Sequence, residues 1–95
     1  MNIPNRINIL GHTYEIKTNK NREWETGHTA PATSYSRNCT IWIDLNQVES
    51  QIESCLIHEI LEIINYHLEI KLEHNQISCL ETGIYQSLKD NDLLK

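Results

Sequence analysis

Three residues near the middle of the sequence have the types and spacing of a metal-binding motif. They lie in the segment His58-Glu59-Ile60-Leu61-Glu62. On a helix, residues four apart project from one face about one turn from each other, so His58 and Glu62 could bind one ion. The segment differs at its last position from H-E-x-x-H, in which two histidines bind zinc and the glutamate takes a proton from the attacking water.

The same residues are also compatible with an ordinary solvated face of a helix. Several glutamates occur between positions 49 and 69, and His58 could be one more polar member of that face. Cys55 lies three residues before His58 and could add a soft ligand, although a cysteine in an apolar stripe commonly fills the core. His67 is one position short of the longer pattern H-E-x-x-H-x-x-G-x-x-H, so that pattern is not met.

Hydrophobic periodicity predicts that the motif lies on the first of two helices. Asn46 can cap this helix, with Glu49 three residues later in a capping-box position. Apolar residues then recur at spacings of three and four from Val48 to Ile63, which predicts a helix that runs to about His67.

A second helix is predicted after a break at 69–73. Its apolar stripe begins at Ile77 and continues to Leu88, again at spacings of three and four. Gly83 lies inside this helix, where glycine costs about 1 kcal/mol relative to alanine. A close approach of the two helix backbones at Gly83 would explain its presence.

The residues that precede the helices predict a small sheet. The segment from Arg6 to Lys17 alternates apolar and polar residues around Gly11, as in a hairpin. Cys39–Asp44 is β-branched and aromatic and predicts a third strand, which could align an extended peptide if it is an exposed edge. Within it, Trp42 could contact a substrate or cover the sheet. The polar segment from Thr18 to Asn38 predicts a long loop.

Length and composition restrict the class of protein. Ninety-five residues are enough for one core, so we expect a single domain over 1–95, β-rich in 1–45 and helical in 46–92. Eight Lys and Arg against thirteen Asp and Glu give a formal charge of −5, which disfavours nucleic acid as a partner. The three cysteines form no C-x-x-C pair, the first residues lack the apolar core of a signal peptide, and no apolar stretch has the length of a membrane span. A cytoplasmic protein is expected.

The layout as a whole resembles small phage and prophage proteins of the zincin metallopeptidase type, minimal relatives of the ImmA/IrrE metallopeptidases. The resemblance is carried by Ile9-Leu-Gly-His-Thr-Tyr-Glu-Ile16, Thr40-Ile-Trp-Ile-Asp44, Ile57-His-Glu-Ile-Leu-Glu62, Asn65-Tyr66 and Gly83-Ile-Tyr-Gln-Ser-Leu-Lys-Asp-Asn91. It implies a zinc-dependent peptidase fold, a protein or peptide as substrate or partner, and the cytoplasm of a bacterial host as the location.

The resemblance also implies a ligand set. Members with the full motif often have an acidic third ligand at the start of the next helix, whereas this chain has Glu62 at the second histidine position and His74 at the acidic one. The implied ligand set therefore still consists of two imidazoles and one carboxylate. By carry-over, His58, Glu62 and His74 would bind zinc and Glu59 would hold the water. Glu81, two turns into the second helix, is the alternative third ligand.

These observations predict a minimal zincin-like α+β fold, in which an antiparallel sheet of about three strands packs on two C-terminal helices. The function they predict is a zinc-dependent metallopeptidase. Two alternatives stay open: a non-catalytic phage protein that binds a host or phage partner, with a structural metal or none, and a helical dimerisation module without metal.

Overall fold

Four strands and two helices follow one another in the computed structural model, which describes residues 2–19 and 30–94. The elements are β1 (Arg6–Ile9), β2 (His12–Thr18), β3 (Ala32–Tyr35), β4 (Thr40–Ile43), α1 (Glu49–Leu68) and α2 (His74–Asp90). The predicted α+β class is confirmed, with both helices after the strands. The sheet has four strands rather than three, because β3 lies in the segment predicted as a loop. Residues 20–29 of that segment lie outside the described residues.

The predicted hairpin is formed by β1 and β2, which pair antiparallel from Arg6 opposite Glu15 to Ile9 opposite His12. Its two-residue turn has positive φ at both positions, 51° at Leu10 and 85° at Gly11. Such turns match the right-handed twist of the strands, and glycine adopts positive φ without steric cost.

The strand order is β1-β2-β4-β3, with β2 and β4 parallel and the other pairs antiparallel. The prediction of an antiparallel sheet is therefore wrong: the sheet is mixed, because the additional strand β3 reverses the chain between β2 and β4. The expectation that Thr40–Asp44 might be an exposed edge is therefore wrong: β4 is central, every one of its residues is buried, and the edge beside it is β3. Buried Trp42 fits the covering role, with the Lys17 ammonium 5.9 Å from its ring centre.

Helix α1 packs across the sheet and forms the core with it. The core side chains share nearly complete burial and come from both layers: Ile9, Tyr14, Ile16, Ile41, Ile43, Leu56 and Ile63. The hydroxyl of buried Tyr14 lies 2.9 Å from Nε2 of His67, in the last turn of α1. This contact joins the hairpin to the far end of the helix, where the His12 and His67 rings also stack with their centres 4.7 Å apart.

The start of α1 differs from the prediction. The N-cap is Val48, and no side chain makes a cap hydrogen bond there. Asn46 does not cap the helix because the Asp44 carboxylate accepts its backbone N–H at 2.8 Å and holds it in a turn. Asn19 donates to the same Asp44 oxygen at 2.8 Å, which ties this turn to the end of β2.

Helix α2 packs against α1 and makes no comparable contact with the described strands. Only Ile77 on α2 is buried. The helices are also joined by polar pairs in antiparallel order: Glu62 with His74, His58 with Glu81, and Glu53 with Lys89. The expected close backbone approach at Gly83 is wrong, since no described atom outside its immediate neighbourhood lies within 4 Å of a Cβ built there.

The most buried side chain in these pairs is that of Glu53, which is 1% exposed. It accepts hydrogen bonds from the Tyr85 hydroxyl at 2.8 Å and from the Lys89 ammonium at 3.1 Å. Burial and the bond to Glu53 raise the pKa of Tyr85, and the same carboxylate raises the pKa of Lys89, so both donors remain protonated at neutral pH.

We predict that Tyr85→Phe destabilises the protein by about 1.5 to 3 kcal/mol, the range for a hydrogen bond to a charged group. The substitution keeps the ring and removes one of the donors to a buried carboxylate. Urea unfolding in the presence of a chelator measures the change. Tyr66→Phe is the matched control, because Tyr66 is 64% exposed and its loss of a hydroxyl should change stability by less than about 0.5 kcal/mol. Equal losses of stability in the two variants would show that the hydrogen bond from Tyr85 to Glu53 does not stabilise the fold.

Candidate metal centre

His58, Glu62 and His74 come together where α2 begins beside the middle of α1. One possible ligand atom from each lies within 4.8 Å of the other two, so the group could hold a metal ion. Oε2 of Glu62 lies between the imidazoles, 3.6 Å from Nε2 of His58 and 3.7 Å from Nδ1 of His74. The fold thus assembles the three residues that the resemblance implies as ligands.

The donor set has the chemistry and nearly the spacing that a divalent ion requires. Imidazole nitrogen and carboxylate oxygen bind zinc at about 2.0 to 2.2 Å, which puts tetrahedral ligand atoms about 3.3 Å apart. The two contacts of Glu62 are already close to that value. The remaining adjustment falls on the His74 side chain, which is 76% exposed and has room to rotate.

The other nitrogen of His58 contacts Glu81. Nδ1 of His58 lies 2.7 Å from Oε1 of Glu81, whose side chain is 19% exposed. A carboxylate on the far nitrogen keeps a proton there and leaves Nε2 free, and this arrangement is common for histidines that bind metals. Glu81 therefore lies behind His58, away from the group formed with Glu62 and His74.

The position of His74 depends on the connection between the helices. The chain leaves α1 at Glu69 with a left-handed φ of 51°, and the Asn65 amide binds both backbone polar groups of Leu72. A capping box between Glu73 and Gln76 then starts α2. This short connection places His74 beside Glu62. The distance between these two side chains could not be established from the sequence alone.

Glu59 faces the sheet side of α1 and is only 7% exposed. Burial raises the pKa of its carboxyl, while a hydrogen bond from Ser34 on β3 and the nearby His58 act in the opposite direction. The charges of Glu62 and Glu81 raise it further. Glu59 is thus electrostatically coupled to three of the residues around the candidate centre.

A cleft of about 250 Å³ opens between β3 and the two helices. Its lining includes Ala32, Cys55, His58, Glu59, Ser78 and Glu81. The cleft gives a small polar group access to His58 and Glu59 from the β3 side. Glu62 and His74 are not among its lining residues.

Cys55 lies in this cleft without joining the three-residue group. Burial raises the pKa of its thiol, and the Gln47 amide contacts its sulfur at 3.8 Å. A protonated thiol is a poor metal ligand. Among the described residues, the group that could hold an ion consists of His58, Glu62 and His74.

Sequence reasoning missed Ser34, because a serine in a polar segment carries no sign that it lies on a strand. It named Glu81 only as an alternative ligand, since the register of α2 against α1 is set by non-local contacts. Because His58 and Glu81 lie on separate helices, their separation in sequence does not predict the hydrogen bond between them.

No protein-family model, curated protein or solved structure matches this chain. Among the described residues, no helix is both long and apolar enough to cross a membrane.

We predict that His74→Ala weakens zinc binding by more than roughly 100-fold, because it removes a direct ligand. Glu81→Ala should weaken it less, by the roughly 10- to 100-fold usual for an outer-sphere partner of a metal-bound histidine. Competition with a zinc-sensitive dye measures both affinities. His12→Ala is the control for loss of an imidazole outside the group and should leave the affinity unchanged. The opposite ranking of His74 and Glu81 would make Glu81 the third ligand.

Proposed function

We propose that this protein is a minimal, zincin-like metallopeptidase of phage or prophage origin. His58, Glu62 and His74 would hold zinc, and Glu59 would accept a proton from the attacking water. The observation that carries the proposal is the convergence of two imidazoles and one carboxylate from two helices on one point.

The number of protein ligands favours a catalytic over a purely structural site. Structural zinc sites are closed by four protein ligands, whereas catalytic sites use three and leave a position for water or substrate. Among the described residues, only three side chains belong to the group. A zinc ion bound there would lower the pKa of a water toward about 7 and polarise a peptide carbonyl.

Glu59 has properties that suit a general base. It is adjacent to His58 in sequence, it lines the cleft, and burial raises its pKa. Proton transfer is most effective when the pKa of the base is near the working pH, so a raised value helps a carboxylate. The hydrogen bond from Ser34 would hold its orientation toward the cleft.

The proposed substrate is a protein or peptide in an extended conformation. The edge strand β3 pairs with β4 on one side and with no described strand on the other. It also contributes Ala32 to the cleft, so a peptide added along β3 would pass close to Glu59. The net charge of −5 argues against nucleic acid. The resemblance to ImmA/IrrE metallopeptidases supports a bacterial cytoplasm as the setting.

A non-catalytic role is the second candidate, and the attachment of α2 favours it. That helix has one fully buried residue, and polar pairs add to its attachment to α1. A metal bound by His58, Glu62 and His74 would join the two helices and stabilise a surface for a host or phage partner. The two candidates differ in whether Glu59 has a chemical role.

We predict that the purified protein takes up about one zinc per chain, as the three-ligand group implies. The protein should be prepared without a metal-affinity step, and its zinc should be measured by mass spectrometry before and after titration. His58→Ala should abolish uptake while His12→Ala should not. A zinc content near zero with no uptake in the parent protein would rule out both metal-dependent candidates.

We predict that Glu59→Gln retains zinc but lowers peptidase activity by roughly 10²- to 10⁴-fold, the range for loss of a general base. The amide keeps the size of the side chain and cannot take up the proton. Cleavage of candidate phage repressors and zinc content should be measured on the same samples.

Glu15→Gln is the matched control for this experiment, because it makes the same change at an exposed position on β2. If Glu59→Gln cleaves as fast as the parent, Glu59 is not the base. If the parent binds zinc tightly and a spectroscopic probe such as cobalt substitution shows a fourth protein ligand, the non-catalytic role is favoured.

A further inference from the structure

Three carboxylates surround His58, and no described lysine or arginine is paired with any of them. Glu81 contacts Nδ1 of His58 at 2.7 Å, and Glu62 lies 3.6 Å from Nε2 of the same ring. Glu59 is adjacent in sequence and buried. The charges of Glu62 and Glu81 raise the pKa of Glu59, as expected for carboxylates close enough to repel one another. By contrast, the buried carboxylate of Glu53 is paired with an ammonium group on α2.

A divalent ion in the group formed by His58, Glu62 and His74 would offset only part of this charge. Its two positive charges balance two of the three carboxylates, which leaves one negative charge when all three are ionised. The ion would also lie on the Nε2 side of His58, whereas Glu81 contacts Nδ1 on the opposite side of the ring. The two carboxylates that line the cleft, Glu59 and Glu81, therefore still favour a cation.

The cleft suits an organic cation better than a second metal ion. Within the described ranges, the group whose ligand atoms converge closely enough for an ion is His58, Glu62 and His74. Glu59 and Glu81 do not belong to such a group with each other. An ammonium or guanidinium group carries several N–H donors, so it can bind carboxylates that lie on different helices.

The cleft also has the size and the walls to hold one long side chain. Its volume is about 250 Å³, below the roughly 300 to 1,000 Å³ of pockets that hold drug-sized ligands. Pro31, Ala32 and Cys55 provide apolar walls, and Ser78 adds a hydroxyl. Basic side chains pack their aliphatic stems on such surfaces and direct the charged head to polar groups. None of the described lining residues is itself a lysine or arginine.

We propose that the cleft binds the side chain of a lysine or arginine in a peptide that lies along β3. The stem would pack against Ala32 and Cys55, and the charged head would reach Glu59 and Glu81. The assignment of this peptide as a substrate rests on the proposed function, whereas the preference for a basic residue rests on the cleft alone. A substrate of the centre then has a basic residue close to the bond that is cleaved.

The test compares two short, blocked peptides that differ in one side chain, lysine in one and norleucine in the other. Norleucine has the same aliphatic stem without the ammonium group. Both affinities should be measured by NMR titration of the parent protein, with chelator and again with zinc. The lysine peptide should bind about 10- to 100-fold more tightly, as expected for a hydrogen bond between charged groups. Added salt should reduce this preference. Equal affinities, or no binding of either peptide, would overturn the proposal.

Three variants make the outcome specific to the cleft. Ser78→Lys places a tethered ammonium group among the lining residues and should abolish the preference for the lysine peptide. Ser87→Lys is the matched control, because it adds the same charge at an exposed position of α2 outside the cleft and should keep the preference. Glu81→Gln keeps the size of the side chain and should weaken the preference. A Ser78→Lys variant that still prefers the lysine peptide as strongly as the parent would contradict the assignment.

The result can be separated from the test of the proposed function. A preference for the lysine peptide in chelator, with no zinc uptake on titration, would support the cleft assignment and contradict the proposed peptidase. Zinc uptake with equal affinities for the two peptides would support the metal centre and overturn the cleft assignment.

Discussion

The rotation of α1 about its own axis is the constraint on which the rest of the structure depends. Leu56 and Ile63 are buried against the sheet, and the periodicity of the helix then fixes the direction of every other side chain. Glu59 must lie next to β3, while His58 and Glu62 must lie next to α2. Because the core is close-packed, even a small rotation of α1 would displace buried side chains, and this cost holds the candidate centre in its orientation.

The two helices are held in the fold in different ways. Helix α1 is anchored by apolar burial against three strands, whereas α2 is attached to α1 by one buried isoleucine, by acid–base pairs and by the hydrogen bond from Tyr85 to Glu53. Elements with few buried apolar contacts open more readily than the rest of a protein. The candidate centre therefore spans a boundary between a firmly packed part of the fold and a more weakly held one. An ion bound across this boundary would restrict the opening of α2.

Most local features of this fold were predictable from the sequence, apart from the cap of α1, and the non-local ones were not. The hairpin around Gly11, the end of α1 near His67 and the break before α2 follow from turn chemistry and hydrophobic periodicity. Strand β3 has only four residues and lacks a clear apolar alternation, so nothing in its sequence indicated that it would pair with β4. The parallel pairing of β2 with β4 depends on tertiary contacts. At the candidate centre, the spacing of His58 and Glu62 is a helix property, but the contact of Glu81 with Nδ1 depends on the register between helices.

The connection from Asn65 to His74 also determines which changes in length the chain could tolerate. The Asn65 amide binds both backbone polar groups of Leu72, so an insertion or deletion between them would move His74 away from Glu62. Related chains that keep the centre should therefore be recognisable by H-x3-E-x2-N-x8-H-x6-E, in which the interval between asparagine and the second histidine is constant.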